Sequence, residues 1–212
     1  MTVMPIFPLG SVLLPAMPMP LRIFEPRYLK LLGDLMESDR PEFGIVLIER
    51  GPEVGGGEKR MSIGTIAKVI KIGTTAEFYG LESVGTSRFI VNTWLPDDPY
   101  PMADIDLIPD LVWDEELAQP KATLEKRVRR FLAFASEFVD LAYNSAFDFS
   151  DDPLEACWQL AGVLPIVEFD QVELLRAESA GDLISRIDNL VTTADETLRA
   201  MMNQIAEQED DK

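Results

Sequence analysis

Breaking a bond in a peptide, nucleotide or sugar requires a nucleophile, a general base or a metal ligand, and this sequence is poor in all three. It contains no histidine, which removes the commonest general base and the commonest metal ligand together. Cys157 is the only cysteine, so neither an intramolecular disulfide nor a cysteine cluster for zinc can form. Beside Trp158 in an apolar run, it reads as a core residue rather than a reactive thiol. The carboxylate pairs Asp97-Asp98, Asp151-Asp152 and Asp210-Asp211 are neighbours in loop or tail sequence, where solvated side chains are expected, not two groups facing across a cleft as glycoside hydrolysis needs. EF-hand spacing is missing as well. The stretch from Gly51 to Lys59 puts Gly57 where the lysine of a phosphate-binding loop would have to fall, so it reads as a hairpin loop. No cofactor and no metal are expected.

Composition points the same way. The chain has 212 residues, 47% of them hydrophobic, enough to bury a substantial core. Its formal net charge is −18, unevenly spread: residues 1–100 hold 10 basic and 12 acidic residues, residues 101–212 hold 9 and 25. A field of that sign repels phosphate backbones and anionic lipid headgroups, so neither nucleic acid nor membrane is an expected partner. Lys126-Arg127 and Arg129-Arg130 form the one basic cluster; it lies in the acidic half without interleaved aromatics, and pairing with acidic neighbours is expected. The apolar N-terminus lacks a basic n-region and is interrupted by prolines, and no uncharged run reaches the length of a membrane span. A reducing cytoplasm is the setting that the lone cysteine suits.

The elements that must carry any binding residues divide near residue 112. Up to there the sequence reads as short strands punctuated by Pro and Gly: Phe43–Arg50, Met61–Ile72, Glu77–Val84, Ser87–Leu95 and Pro101–Ile108. So many strands so close together imply a strongly curved sheet or small barrel. A helix is inserted at Glu25–Met36, opened by Pro26, with Tyr28, Leu31, Leu32, Leu35 and Met36 on one face, expected to plug one end of that barrel. From residue 113 the period turns helical. Leu124, Val128, Phe131, Leu132, Ala135, Phe138, Val139 and Ala142 form one stripe; a second helix starts at Asp152-Pro153 and ends before Pro165; a short third covers Glu168–Arg176. A fourth opens at a capping box, Ser179 to Asp182, and repeats apolar residues from Leu183 through Leu190, Ala194, Leu198, Met201 and Met202 to Ile205. Such a stripe is expected to be buried in a helical bundle over 113–206, with 207–212 a frayed acidic tail.

Pro20, Leu21, Phe24, Glu25, Arg27 and Tyr28 spell Pro-Leu, two residues, Phe-Glu, one residue, Arg-Tyr, after a proline-punctuated apolar strand. This resembles the opening signature of LON substrate-binding domains, the N-terminal peptide-recognising part of Lon-type proteases. Phe43-Gly44, Gly64-Thr65, Gly85 with Arg88-Phe89, Leu164-Pro165 and Arg186–Leu190 follow in the family's order, so the resemblance spans about residues 5–205. It implies an α+β fold, a PUA-like β-barrel with one inserted helix over 1–112 followed by the helical bundle. No serine stands in a glycine-rich context like that of the family's proteolytic domain, and no ATPase motif is present. The resemblance therefore implies a free-standing, non-catalytic module that binds unfolded or hydrophobic peptide segments or a protein partner.

The residues expected to do the binding are apolar ones in segments that should be exposed. Leu13, Leu14, Met17 and Met19 lie among Pro15, Pro18 and Pro20, where proline limits pairing into a sheet, and methionine adapts to varied partners. Phe78, Tyr79, Trp94 and Tyr100 are aromatics at strand ends that could line the same groove, with the seam between the two lobes as its expected place. Self-association or a partner could supply avidity. Glu25 and Arg27 are expected to lock the inserted helix to the barrel, with Arg88 doing the same at a turn after Gly85. The alternatives are a small-ligand or RNA-binding module built on the PUA-like lobe, and an accessory factor of a separate protease.

Overall fold

A computed structural model describes residues 2–74 and 78–210, with side chains as far as Gln204. Its described part divides between Asp110 and Leu111 into two compact units. The first holds strands β1 (Thr2–Leu9), β2 (Pro18–Ile23), β3 (Glu42–Arg50), β4 (Lys59–Thr74), β5 (Tyr79–Trp94) and β6 (Met102–Leu107), with helix α1 (Pro26–Glu37) between β2 and β3. The second holds a 3-10 turn (Glu115–Leu117) and helices α2 (Ala118–Ala135), α3 (Pro153–Gly162), α4 (Glu168–Leu174) and α5 (Ala180–Asp210). The fold class is α+β.

The six strands form one mixed sheet in the order β2-β5-β4-β3-β1-β6, parallel only between β1 and β3, and a further β5–β6 ladder joins its far end back to β5. Five strands thereby close into a ring, and β2 is left as the edge. Inside lie Ile6, Val46, Ile66, Phe89, Val91, Ala103 and Ile105, with Trp94 packed against them. Each fully buried side chain of this size contributes roughly 1.5–3 kcal/mol.

Two glycines make the ring possible. A Cβ on Gly64 would strike the Ile45 carbonyl oxygen, and one on Gly85 would strike the Leu14 carbonyl oxygen. Gly85 is not a turn between two strands, as expected, but the middle of β5, which pairs with β2 over Tyr79–Val84 and with β6 over Phe89–Trp94. Gly85 donates to the Met17 carbonyl and accepts from the Ala16 N–H, both at 2.9 Å. Without a side chain there, the backbone can hold the preceding turn at contact distance. Glu77, the expected first residue of this region, lies outside the described residues.

The proline-rich segment is also not a loop. Met17 N–H donates to the Leu14 carbonyl at 3.2 Å across Pro15-Ala16, and Ala16 has φ +58°; proline second and a positive φ third make this a type II turn. Residues 18–23 then pair antiparallel with β5. Proline is tolerated here because β2 is an edge: Pro18 and Pro20 turn their nitrogens away from β5, where no ladder bond is lost.

In α1, Tyr28, Leu31, Leu32 and Leu35 are buried, whereas Met36, in the last turn, is exposed. Helix α2 stops at Ala135, so Phe138, Val139 and Ala142 do not extend its stripe, and all three are exposed. Helix α3 starts as expected: Asp152 caps it, accepting from the N–H groups of Leu154 and Glu155, both at 2.9 Å. Helix α5 opens with Asp182 N–H on Ser179 Oγ at 3.1 Å and Glu178 N–H on Asp182 Oδ2 at 3.1 Å. Its stripe is buried only as far as Val191; from Ala194 to Met202 it is half-buried or exposed, and Ile205 lies beyond the described side chains. The helix itself runs to Asp210, through four residues expected to fray.

Cys157 is fully buried, and burial pushes its thiol pKa up to about 11. At pH 8 only about one thiol in a thousand would be ionised even where reagent reached it. Native protein should therefore resist alkylation by iodoacetamide at that pH and react once unfolded in guanidinium, as mass spectrometry would show. Gly85→Ala should cost about 2 kcal/mol or more in urea unfolding, because the added methyl meets backbone rather than a movable side chain. Ala16→Gly should raise stability by up to about 1 kcal/mol, by relieving a left-handed residue that has a Cβ.

Candidate functional site

The motif that opens the fold is structural for most of its length. Glu25 Oε2 accepts from Arg27 Nε at 3.2 Å and from the Gly55 N–H at 3.3 Å, so this carboxylate ties the start of α1 to the glycine-rich β3–β4 loop. The same loop is fixed again by Glu53, whose Oε1 accepts from the Gly10 N–H at 2.7 Å. Arg27 lies over the Tyr28 ring at 4.4 Å, and Tyr28 stacks on Phe7 with centroids 3.8 Å apart. Burial drives the Tyr28 phenol above its ordinary pKa, helped by the negative charges of Glu58 and Glu25 and opposed by Arg27 and Arg60.

Pro20 and Leu21 belong to the edge strand, Leu21 half-buried beside Leu81. Phe24 departs from the expectation of a structural role: it is 55% exposed, because the chain turns from β2 into α1 there and leaves the ring outside. Phe89 is fully buried. Arg88 sits in mid-strand rather than at a turn, buried, its Nη2 donating to the Pro109 carbonyl at 2.9 Å while its own carbonyl accepts from Ile108 N–H. Burial lowers its pKa, partly offset by Asp110.

Sequence reasoning missed one polar cluster. Arg60 donates through Nε to Glu58 Oε1 at 2.7 Å and through both terminal nitrogens to Asp97 at 3.1 and 2.6 Å, and stands 5.0 Å over the Trp94 ring. Burial opposes its charge, but Asp97 and Glu58 outweigh that and raise its pKa. Asp97, expected to be simply solvated, is thus one arm of a bidentate pair. Glu58, just before β4, and Arg60, its second residue, stand two apart in extended chain, hence on one face, and that spacing was the available signal.

The eight residues expected to bind peptide are not brought together. Leu13 and Leu14 are 2% exposed and Met17 5%: the type II turn folds them inward, so they complete the core and offer no surface. Met19 is half-buried on β2, its carbonyl accepting from Ser83 Oγ at 2.9 Å. Phe78 and Tyr79 stand at one end of β5, Phe78 with Arg22 at 5.2 Å over its ring and Tyr79 partly exposed opposite Ile23. Trp94 is at the other end of the same sixteen-residue strand, under Arg60. One strand cannot present both of its ends to one groove without folding back.

Tyr100 lines a depression of about 530 Å³ between α1 and the sheet. Its floor is Met4, Leu31, Leu35, Ile66 and Ile105; its rim carries Arg40, Glu42, Asp34 and Leu107. The Tyr100 hydroxyl donates to Asp34 Oδ2 at 2.8 Å, and Asp34 also pairs with Lys30. Burial together with Asp34 pushes the Tyr100 phenol up to about 12, while Lys30 and Tyr100 hold the Asp34 carboxyl below its usual range. An apolar floor with a few fixed polar groups at the rim is a recognition geometry.

Half of the basic cluster is paired as expected: Arg127 pairs with Asp188, and Arg129 bonds Glu125 Oε1 and the carbonyls of Ser145 and Phe147, whereas Lys126 and Arg130 are exposed. Among the described residues no group of three or more His, Cys, Asp or Glu is placed to hold a metal ion, and no helix is long and apolar enough to cross a membrane.

The chain is similar to known proteins along most of its length. Lon protease 2 of Sorangium cellulosum (strain So ce56) is 35% identical over 133 residues, 60% of this chain and 16% of that protein. Lon protease of Anaeromyxobacter dehalogenans (strain 2CP-C) is 30% identical over 140 residues, 64% of this chain and again 16% of the relative. The chain thus spans about a sixth of the length of these relatives. Among solved structures, a Lon N-terminal domain protein from Xanthomonas campestris superposes with TM-score 0.66 at 24% identity, covering 91% of this chain and 98% of that one. The N-terminal domain of a Mycobacterium avium complex Lon protease gives 0.64 at 14% identity, covering 90% and 98%. The model of the ATP-dependent protease La (LON) substrate-binding domain matches residues 3–193, and the chain belongs to that family.

Proposed function

We propose that this chain is a non-catalytic recognition module of the cytoplasm that holds unfolded or hydrophobic peptide segments, or a partner protein presenting one, and does not turn them over. The observation that carries the reading is the cleft beside Tyr100, whose apolar floor can take a few side chains while Arg40 and the Asp34–Tyr100 pair offer polar groups to a backbone. We read the closed ring of strands as a PUA-like β-barrel and the helical unit as a bundle, each supplying a rigid surface rather than reactive groups. Such a module could serve a separate protease as an accessory factor, and self-association could add avidity to weak single contacts.

The competing reading, RNA capture, would need a patch of free cations: Arg127 and Arg129 are already paired, and Lys126 and Arg130 stand in a half of the chain where 22 acidic residues oppose 9 basic ones from Leu111 onward. Fluorescence anisotropy with a labelled, permanently unfolded apolar peptide should show binding that hardly changes with salt, whereas single-stranded RNA should not bind. Leu107→Asp, at a rim position 57% exposed and so harmless to folding, should weaken peptide binding about tenfold or more by placing a charge where apolar surface is buried. Casein should stay intact with or without ATP; ATP-stimulated cleavage that persists through further purification would overturn the proposal.

A further inference from the structure

In the helical unit, α5 outruns the helix it packs on. Helix α2 ends at Ala135, but the apolar stripe of α5 continues through Leu190, Ala194, Leu198 and Met201, the last 55% exposed. With Val139 and Ile166 these residues line an open groove of about 490 Å³. An amphipathic stripe left uncovered over three turns is apolar surface without its usual shelter. From Leu190 to Met201 the helix rises about 16 Å, the length of about five residues of extended chain.

The groove also has a sign. Two carboxylates, Asp140 and Asp170, stand in its lining, and the lining contains no lysine or arginine. Neither aspartate makes an ion pair among the described residues. Three arginines of the same unit are engaged elsewhere: Arg199 bonds Asp195 at 3.0 Å and lies over Phe134, Arg186 bonds Asp182 at 2.9 Å, and Arg176 bonds Glu173 at 3.1 Å. From Leu111 onward the chain carries 22 acidic residues against 9 basic ones, so the field around the groove attracts cations.

We infer that this groove is a second peptide-binding surface, specific for short extended apolar segments flanked by lysine or arginine. The apolar stripe supplies burial, and Asp140 and Asp170 select for the flanking charge and against acidic flanks, where like-charge contact is costly. This rests on the reading of the chain as a peptide holder, but it names a different surface from the cleft beside Tyr100 and a narrower class of segment.

Three fluorescent peptides with one five-residue apolar core, flanked on both sides by lysines, serines or glutamates, would test it by anisotropy on the full chain. The lysine-flanked peptide should bind about tenfold or more tightly than the glutamate-flanked one at low salt, and the gap should close as salt rises. Asp140→Lys with Asp170→Lys should reverse that order. Ala194→Gln with Met201→Gln keeps helix-forming residues on an open face while filling the groove; circular dichroism would show the fold intact, and the lysine-flanked peptide should no longer prefer this protein. Affinities blind to the flanking charge would overturn the inference. So would binding that survives the glutamine pair but is lost in Leu107→Asp, which would leave the cleft beside Tyr100 as the operative site. Concentration-dependent dimerisation abolished by the glutamine pair would overturn it too, since a second copy would then be the occupant. Failure of all three peptides to bind would instead sink the function proposed above.

Discussion

β5 hydrogen-bonds to three strands, and that single fact shapes the sheet unit. In its first half it runs between β2 and β4; in its second it runs between β6 and β4. A strand can change neighbour in mid-course only where its backbone lets another segment come in close, and Gly85 stands at the changeover with the Leu14 carbonyl against its Cα. Because β5 reaches β6, the sheet closes. The closed sheet fixes α1 along one side, and α1 with β1 and β6 encloses the cleft that Tyr100 lines. Loss of the close approach at Gly85 would loosen the inward turn that buries Leu13, Leu14 and Met17, and the core beneath it.

Much of this was legible in the sequence. The proline opening α1, the Asp152-Pro153 start of α3 and the Ser179–Asp182 cap of α5 are local signals, set by a few neighbouring residues, and the structure carries each. What could not be read was anything that depended on a distant partner. Gly85 looks like a turn glycine until β2 and β6 are placed on either side of it. Prolines 18 and 20 look incompatible with a sheet until the strand is known to lie at the edge. The stripe of α5 reads as buried to its end because periodicity records which face is apolar, and not whether another helix is long enough to cover it.

The residues offered as candidates for binding were legible as apolar and aromatic side chains, and not by their place in the fold. Tyr100 was singled out as an aromatic at a strand end, and it does line the cleft, held by Asp34. Leu13, Leu14 and Met17 were misplaced because a type II turn with alanine at its left-handed position gives no glycine signal. The Glu58–Arg60–Asp97 cluster joins residues thirty-seven apart, and nothing local to Asp97 marks it as other than a surface acid. Polar networks of this kind hold loops in register and leave the apolar floors of the cleft and groove as the open surfaces of each unit.

The edge strand β2 has one more consequence. Alternation along an antiparallel ladder turns residues 18, 20 and 22 toward open solvent, and two of these three are prolines with no amide hydrogen to offer. An incoming extended chain would find carbonyls there but only the Arg22 N–H as a donor, too few to knit a seventh strand onto the sheet. In the role we propose, meeting unfolded chains, a protein would run a standing risk of being templated into fibrils by them, and in this one the seam where that would start is already sealed.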